Sequence, residues 1–156
     1  MYKFDDIPHD DVSHFVSEFG YGDCHMLSQY LSEQYSFDIG IIKSHPSGIP
    51  IHSFVYINDV YALDAHGIDL IENTIERYRG FCDEYEEVDI RTDRVPRDAA
   101  IDELGVWCPM SSGDHQMVDE EFKHIAAITN IIAKIQEAIH GPPKITPSLK
   151  PKKFTP

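Results

Sequence analysis

Apolar residues along the chain change period several times, and each change marks an element. Val12, Phe15, Val16 and Phe19 recur at i, i+3, i+4 and i+7, which predicts a helix over 9–19. Gly20-Tyr21-Gly22 is expected to break it. Asp23 then stands where an N-cap would, opening a second helix from about Cys24 to Gln34. Cys24, Leu27, Tyr30 and Leu31 share one side of that helix. Ile39-Gly40-Ile41-Ile42 reads as a short buried strand, and His45-Pro46-Ser47-Gly48 as a turn or loop. Residues 51–57 alternate apolar and polar and predict a strand; 60–65 predict another, with Asn58-Asp59 as the hairpin signal between them. Residues 69–79 read as helical, with Leu70, Ile71, Ile75 and Tyr78 on one side. A further strand is expected at 85–91 and a short helix from Pro96 to Leu104. Phe122, Ile125, Ile128, Ile132, Ile135 and Ile139 form a stripe that predicts one long helix over 119–139. Asp119, Glu120 and Glu121 would sit at its positive N-terminus, and Gly141-Pro142-Pro143 would stop it. The stripe is read as core packing.

The fold class expected from this order is α+β: a Cys-bearing helix, an antiparallel sheet bearing His and Asp, and additional helices including the long C-terminal one. The 156 residues suit a single domain, expected over 1–140 and followed by an extended tail at 141–156 with five prolines. Hydrophobic content of 42% fits a folded chain. No apolar run approaches the ~20 residues of a membrane span, and the N-terminus lacks the basic and apolar regions of a secretory signal. A cytoplasmic protein with no membrane partner is therefore expected. Export by another route stays open.

Charge narrows the partners. The net charge is −14, and the four lysines of the acid-free tail leave −18 on residues 1–140. The stretch 81–121 holds thirteen acids against three arginines. Such a field repels phosphates, so direct nucleic-acid binding is not expected. The acidity serves solubility or docks a basic protein surface. Three cysteines, Cys24, Cys82 and Cys108, cannot all pair within the chain, and no CxxC is present. A disulfide scaffold and a zinc ribbon are both unexpected. The spacings of Cys24, His25, His52 and His66 fit no standard zinc pattern, so neither a metal nor another cofactor is expected.

Candidate chemistry gathers in three short segments. Cys24 lies in Gly22-Asp23-Cys24-His25 ahead of a helix. His52 opens the strand Ile51-His52-Ser53-Phe54-Val55-Tyr56-Ile57. Asp64 follows twelve residues later in Tyr61-Ala62-Leu63-Asp64-Ala65-His66-Gly67. A thiol is activated by a helix N-terminus and by an imidazolium. A histidine beside it would take the thiol proton and return it to a leaving amine, and an acid would fix the imidazole tautomer. The backbone N–H of Cys24, at a helix start, could face an oxyanion, with Tyr21, Gly22, Asp23 and His25 in the substrate and oxyanion vicinity. His25 and His66, as sequence neighbours of triad positions, are read as surface or supporting groups. Structural alternatives stay open: Cys24 as a small buried hydrophobe, His52 as a strand residue with one structural bond, and Asp64 as a turn residue before Gly67.

Strand geometry makes a demand on this triad. A two-residue turn at Asn58-Asp59 would pair Asp64 with Ser53 and turn His52 to the other face. A three-residue loop at 57–59 would pair Tyr56 with Val60 and set His52 directly opposite Asp64. The triad thus predicts an odd loop or a bulge between 52 and 64.

The segments Gly-Asp-Cys-His, His-Ser-Phe-Val-Tyr-Ile and Tyr-Ala-Leu-Asp-Ala-His-Gly, in that order, resemble the papain-like cysteine superfamily, nearest its transglutaminase-like branch. The resemblance covers about residues 20–68. It implies a small papain-like core, with Cys24 as nucleophile, His52 as base and Asp64 as orienting acid. It implies a cysteine hydrolase or acyl-transferase of protease, glutamine deamidase or transglutaminase type, acting on a protein partner. A bacterial or phage effector would fit. The 28-residue gap from Cys24 to His52 is short for that family. No glutamine precedes Cys24, so the second oxyanion donor is unassigned, and the one tryptophan, Trp107, is remote from these segments. The contrasting expectation is an acidic binding or inhibitor protein of immunity or anti-defence type, which would use 81–121 over a silent scaffold. A structural component tethered by its Pro/Lys tail is a third.

Overall fold

The computed structural model describes residues 1–80, 89–99 and 110–140. The protein is α+β. Among the described residues six strands form one antiparallel sheet: β1 (Tyr2–Lys3), β2 (Ile39–His45), β3 (Pro50–Tyr56), β4 (Tyr61–Asp64), β5 (Gly67–Leu70) and β6 (Asp89–Val95), in spatial order β1-β5-β4-β3-β2-β6. The helices are α1 (Asp10–Tyr21), α2 (Cys24–Tyr35), α3 (Ile71–Glu76), α4 (Ser112–Ile128) and α5 (Ile131–His140). None of them is long and apolar enough to cross a membrane.

Alternation along the strands divides the apolar residues between two sheet faces. Ile39, Ile41, Val55, Ile57, Leu63 and Ile68 join the larger core, with Phe15 and Phe19 of α1, Leu27 and Leu31 of α2, Phe122 of α4 and Ile135 of α5. Ile42, Phe54, Tyr56 and Ala62 point the other way and pack with Tyr78 in a smaller cluster. His52 and Asp64 belong by register to this second face.

The expected hairpin forms, with its loop one residue later than 57–59. Ile57 N–H donates to the Tyr61 carbonyl at 2.9 Å, and Tyr56 pairs with Ala62, which leaves 58–60 as a three-residue loop. Asn58 shapes it: its side-chain oxygen accepts from the N–H groups of Val60 and Tyr61, both at 2.8 Å. The loop is odd, as the triad demanded, so His52 and Asp64 share a face. Continuing the register sets Phe54 opposite Asp64, and His52 stands diagonally to the acid, not directly across. A bulge also occurs on the other side of β3: Ile42 pairs with His52 but Lys43 with Pro50, leaving Ile51 as the extra residue.

Several boundaries differ from expectation. Gly20 and Tyr21 finish α1 and do not break it; the helix caps at Gly22. Asp23 holds the N-cap position of α2 without a side-chain capping bond. Part of the predicted 69–79 helix is strand: Gly67–Leu70 forms β5, where Gly67 takes φ +101° opposite Lys3 of the paired β1 and its missing Cβ leaves room for the Tyr2 carbonyl. The 119–139 helix is two helices. α4 starts seven residues earlier, at a capping box of Ser111 and Asp114, and Thr129-Asn130 separates it from α5. The break re-phases the apolar face. Ile125, Ile131, Ile135 and Ala138 are buried, whereas Ile128, Ile132 and Ile139 stand at the surface. Asp119 is therefore mid-helix, where it accepts the Tyr30 hydroxyl at 2.7 Å. The strand expected at 85–91 overlaps β6 only at 89–91, since β6 runs on to Val95 and 85–88 lie outside the described residues, and the helix expected from Pro96 opens at 97–99. Residues 81–88 and 100–109, with Cys82, Cys108 and Trp107, and the tail 141–156 lie outside the described residues.

Candidate active site

Chain order brings the three predicted groups together through two ties. Cys24 is the first residue of α2, and Ser28, one turn on, accepts a hydrogen bond from Ser53 Oγ at 2.8 Å in the buried interior. Ser53 is the neighbour of His52, so this bond fixes the cysteine helix to the histidine strand. The hairpin then brings Asp64 to the same face as His52. His52 Nε2 lies 2.8 Å from Asp64 Oδ2. His52 is fully buried, and Asp64 and Cys24 nearly so.

With Nε2 taken by Asp64, Nδ1 is the nitrogen left for the thiol. Nδ1 makes no full hydrogen bond, yet the Cys24 thiol acts on the ring both as a weak hydrogen-bond partner and as a charge. The contact is thus looser than the one to Asp64. Its consequence lies in the electrostatics. Burial opposes a charge on His52, but the bond to Asp64, then Cys24, outweighs it and raises the imidazole pKa to about 9. Asp64 moves the opposite way. Burial pushes its pKa up, the His52 bond and charge pull it down more, and the net direction is down. The two form an ion pair at neutral pH.

Asp64 is held on its other side as well. Its Oδ1 accepts the His66 backbone N–H at 2.9 Å, and Arg77 Nη1 lies 3.9 Å from Oδ2. Arg77 also approaches Asp69 at 3.7 Å, and Lys3 approaches Asp69 at 3.6 Å. His25, the second residue of α2, contrasts with His52: burial first, and then the charge of His52, depress its pKa to about 4. It is neutral where His52 is charged.

His66 is not a surface residue. It is 3% exposed, its Nδ1 lies 3.0 Å from Asp5 Oδ1, and its Nε2 lies 3.3 Å from the Tyr78 hydroxyl. The reason is that Gly20 leaves no side chain in its way; a Cβ there would come within 3.1 Å of Nε2. Tyr21 is 61% exposed and sets its ring edge-on to His66, at 5.7 Å between centroids. Gly22 is also exposed, and Asp23 is half-buried. These residues form the solvent side of the turn that leads into Cys24.

Tyr78 was legible in the sequence only as one apolar position of a helix. Its ring stacks on His52 at 3.8 Å and 13°, and its hydroxyl donates to the Gly20 carbonyl at 2.8 Å. Asp5, Ser28 and Ser53 gave no sequence signal, because each acts only through a partner distant in the chain. Among the described residues no cluster of His, Cys, Asp or Glu is placed to hold a metal ion. Three acids in the described part of the acidic stretch are ion-paired: Asp89 with Arg79, Asp93 with Lys43 and Arg91, and Asp119 with Lys123. No family model, curated protein or solved structure matches the chain.

Proposed function

We propose that this chain is a cysteine-nucleophile amidohydrolase or acyl-transferase, of papain-like and transglutaminase-like type, that acts on amide groups of a protein partner. The observation that carries this reading is the buried His52, bonded to Asp64 through Nε2 and near enough to Cys24 for that residue to help raise its pKa. The thiol's proton already rests on His52, an imidazolium at neutral pH, and Sγ attacks the amide carbonyl as the thiolate. Negative charge moves to the carbonyl oxygen, which accepts the backbone N–H of Cys24 at the start of α2. The C–N bond then breaks, and His52 returns its proton to the departing amine. A thioester remains on Cys24. Water, deprotonated by His52, releases the acid and regenerates the thiol, which gives proteolysis or deamidation. An attacking amine gives transglutamination. Asp64 holds its proton-accepting partner in one tautomer and stabilises the imidazolium throughout.

Alkylation by iodoacetamide, followed against pH with the labelled site located by mass spectrometry, tests the reading. Cys24 is expected to react fast well below pH 8. His52→Ala should slow it by about 10²-fold, the lower end of what a positioned base contributes. Ammonia release from glutamine-containing proteins and cleavage of peptide bonds then separate the reaction types. Slow labelling of Cys24, indifferent to His52, would sink the proposal.

A further inference from the structure

We propose that Tyr78 is the positioning residue for His52: its ring clamps the imidazole plane while its hydroxyl anchors that clamp to the turn carrying Cys24. The inference rests on reading Cys24, His52 and Asp64 as a triad. Its geometric basis is the near-parallel contact of the two rings, 3.8 Å between centroids and 13° between planes. An imidazole rotating about its Cβ–Cγ bond would drive its edge into the phenol ring. The stack therefore holds the one orientation in which Nε2 meets Asp64 and Nδ1 is left for Cys24.

The far end of Tyr78 is fixed too. Its hydroxyl donates to the carbonyl of Gly20, four residues ahead of the nucleophile, and lies 3.3 Å from His66 Nε2. His66 in turn gives its backbone N–H to Asp64. One side chain thus touches the base directly, the nucleophile's turn by a hydrogen bond, and the acid through His66. Packing alone would be met by leucine or phenylalanine, without burying a hydroxyl that must then find a partner. Burial, and then the charge of Asp64, hold the phenol proton on, so Tyr78 remains a neutral donor. A neutral phenol face also suits a cationic imidazole stacked on it. The titratable groups facing His52 are Asp64 from β4, Cys24 and His25 from α2, and Tyr78 itself. Arg77 and His66 stand behind Asp64.

Two readouts on the full chain test this: the His52 side-chain nitrogen shifts against pH, and the rate of Cys24 alkylation against pH. Tyr78→Leu and Tyr78→Met fill the space without a ring. Both should shift the His52 titration and lower the His52-dependent alkylation rate by about tenfold or more, as a misplaced catalytic group does. Tyr78→Phe keeps the stack without the anchor and should lose about threefold. A folded Leu or Met variant with wild-type titration and rate would show that the ring only packs. Should neither fold, an unaltered profile in Tyr78→Phe rejects the anchored clamp. If wild-type labelling proves indifferent to His52→Ala, the nucleophile reading fails by itself. The nitrogen shifts still decide then: a His52 titration unmoved in Tyr78→Leu or Tyr78→Met rejects the clamp, and a moved one supports it.

Discussion

His25 lies close enough to His52 to feel its charge, and the surroundings of the two shift them in opposite directions. Burial leaves His25 neutral down to about pH 4, whereas Asp64 and Cys24 keep His52 protonated up to about pH 9. Opposite shifts in neighbouring titratable groups are how one site divides acid and base roles. They also make stability depend on pH with opposite signs. His52 gains its proton more easily folded than unfolded, so its contribution is fully present below about 6.5 and is lost as pH rises toward 9. His25 resists protonation when folded, so stability is lost as pH falls from about 6.5 to about 4. Asp64, with its folded pKa lowered, adds to the acid side: its contribution is present above 3.8 and is lost below, through its folded value. The melting temperature should therefore peak near pH 6.5. Asp64→Asn should flatten the alkaline limb and His25→Gln the acid limb. A melting temperature that rises steadily from pH 6.5 to 9 would contradict the assigned shift of His52.

At the scale of elements, the site depends on a loop of the right parity. Asn58 accepts two backbone N–H groups inside the β3–β4 loop and donates to the Ala138 carbonyl of α5 at 2.9 Å, so it sets the hairpin and seats it against the last helix. Slipping the pairing by one residue would send Asp64 to the helix-covered face, away from His52. Asn58→Ala leaves those three backbone groups without their partner. It should cost about 1–3 kcal/mol in urea unfolding and reduce Cys24 alkylation together with stability. Unchanged unfolding would mean that the loop holds its register without Asn58. The same loop was legible in part. Asn58-Asp59 marks a turn, but a turn signal does not count residues, and parity followed only from requiring His52 and Asp64 to meet. The 119–139 stripe misled for a related reason. Its 3-to-4 spacing runs through Thr129-Asn130 unbroken, and only the packing of Ile131 and Ile135 shows that the helix restarts there.

Over the whole molecule the charge of −14 acts as a field. Many described acids are paired at the surface, as Asp38 and Asp59 are with Arg94, and exposed pairs of this kind contribute little. Net repulsion should dominate, so salt should raise the melting temperature between about 0.01 and 0.15 M, where the screening length falls from about 30 to 8 Å. The pH limbs assigned to His25, His52 and Asp64 should persist at high salt, because buried groups are screened far less. A melting temperature that falls on adding salt would show that the surface pairs outweigh the repulsion.

Read along the chain, the residues already specify the α+β class, the helix that starts at Cys24, the strands around His52 and Asp64, and the candidacy of these three residues. Each of these is a local matter: period, turn residues and chain order carry it. Tertiary structure decided the rest. It split the C-terminal helix, set Gly67 against the paired strand β1, and buried His66 against Asp5 in the space that Gly20 leaves. It also laid Tyr78 over His52. These outcomes depend on which residues meet across tens of positions, and local periodicity holds no record of a partner. The candidate site lies between the two. Its members are written in the chain, but their distances come from a three-residue loop, a Ser28–Ser53 bond and a stacked ring.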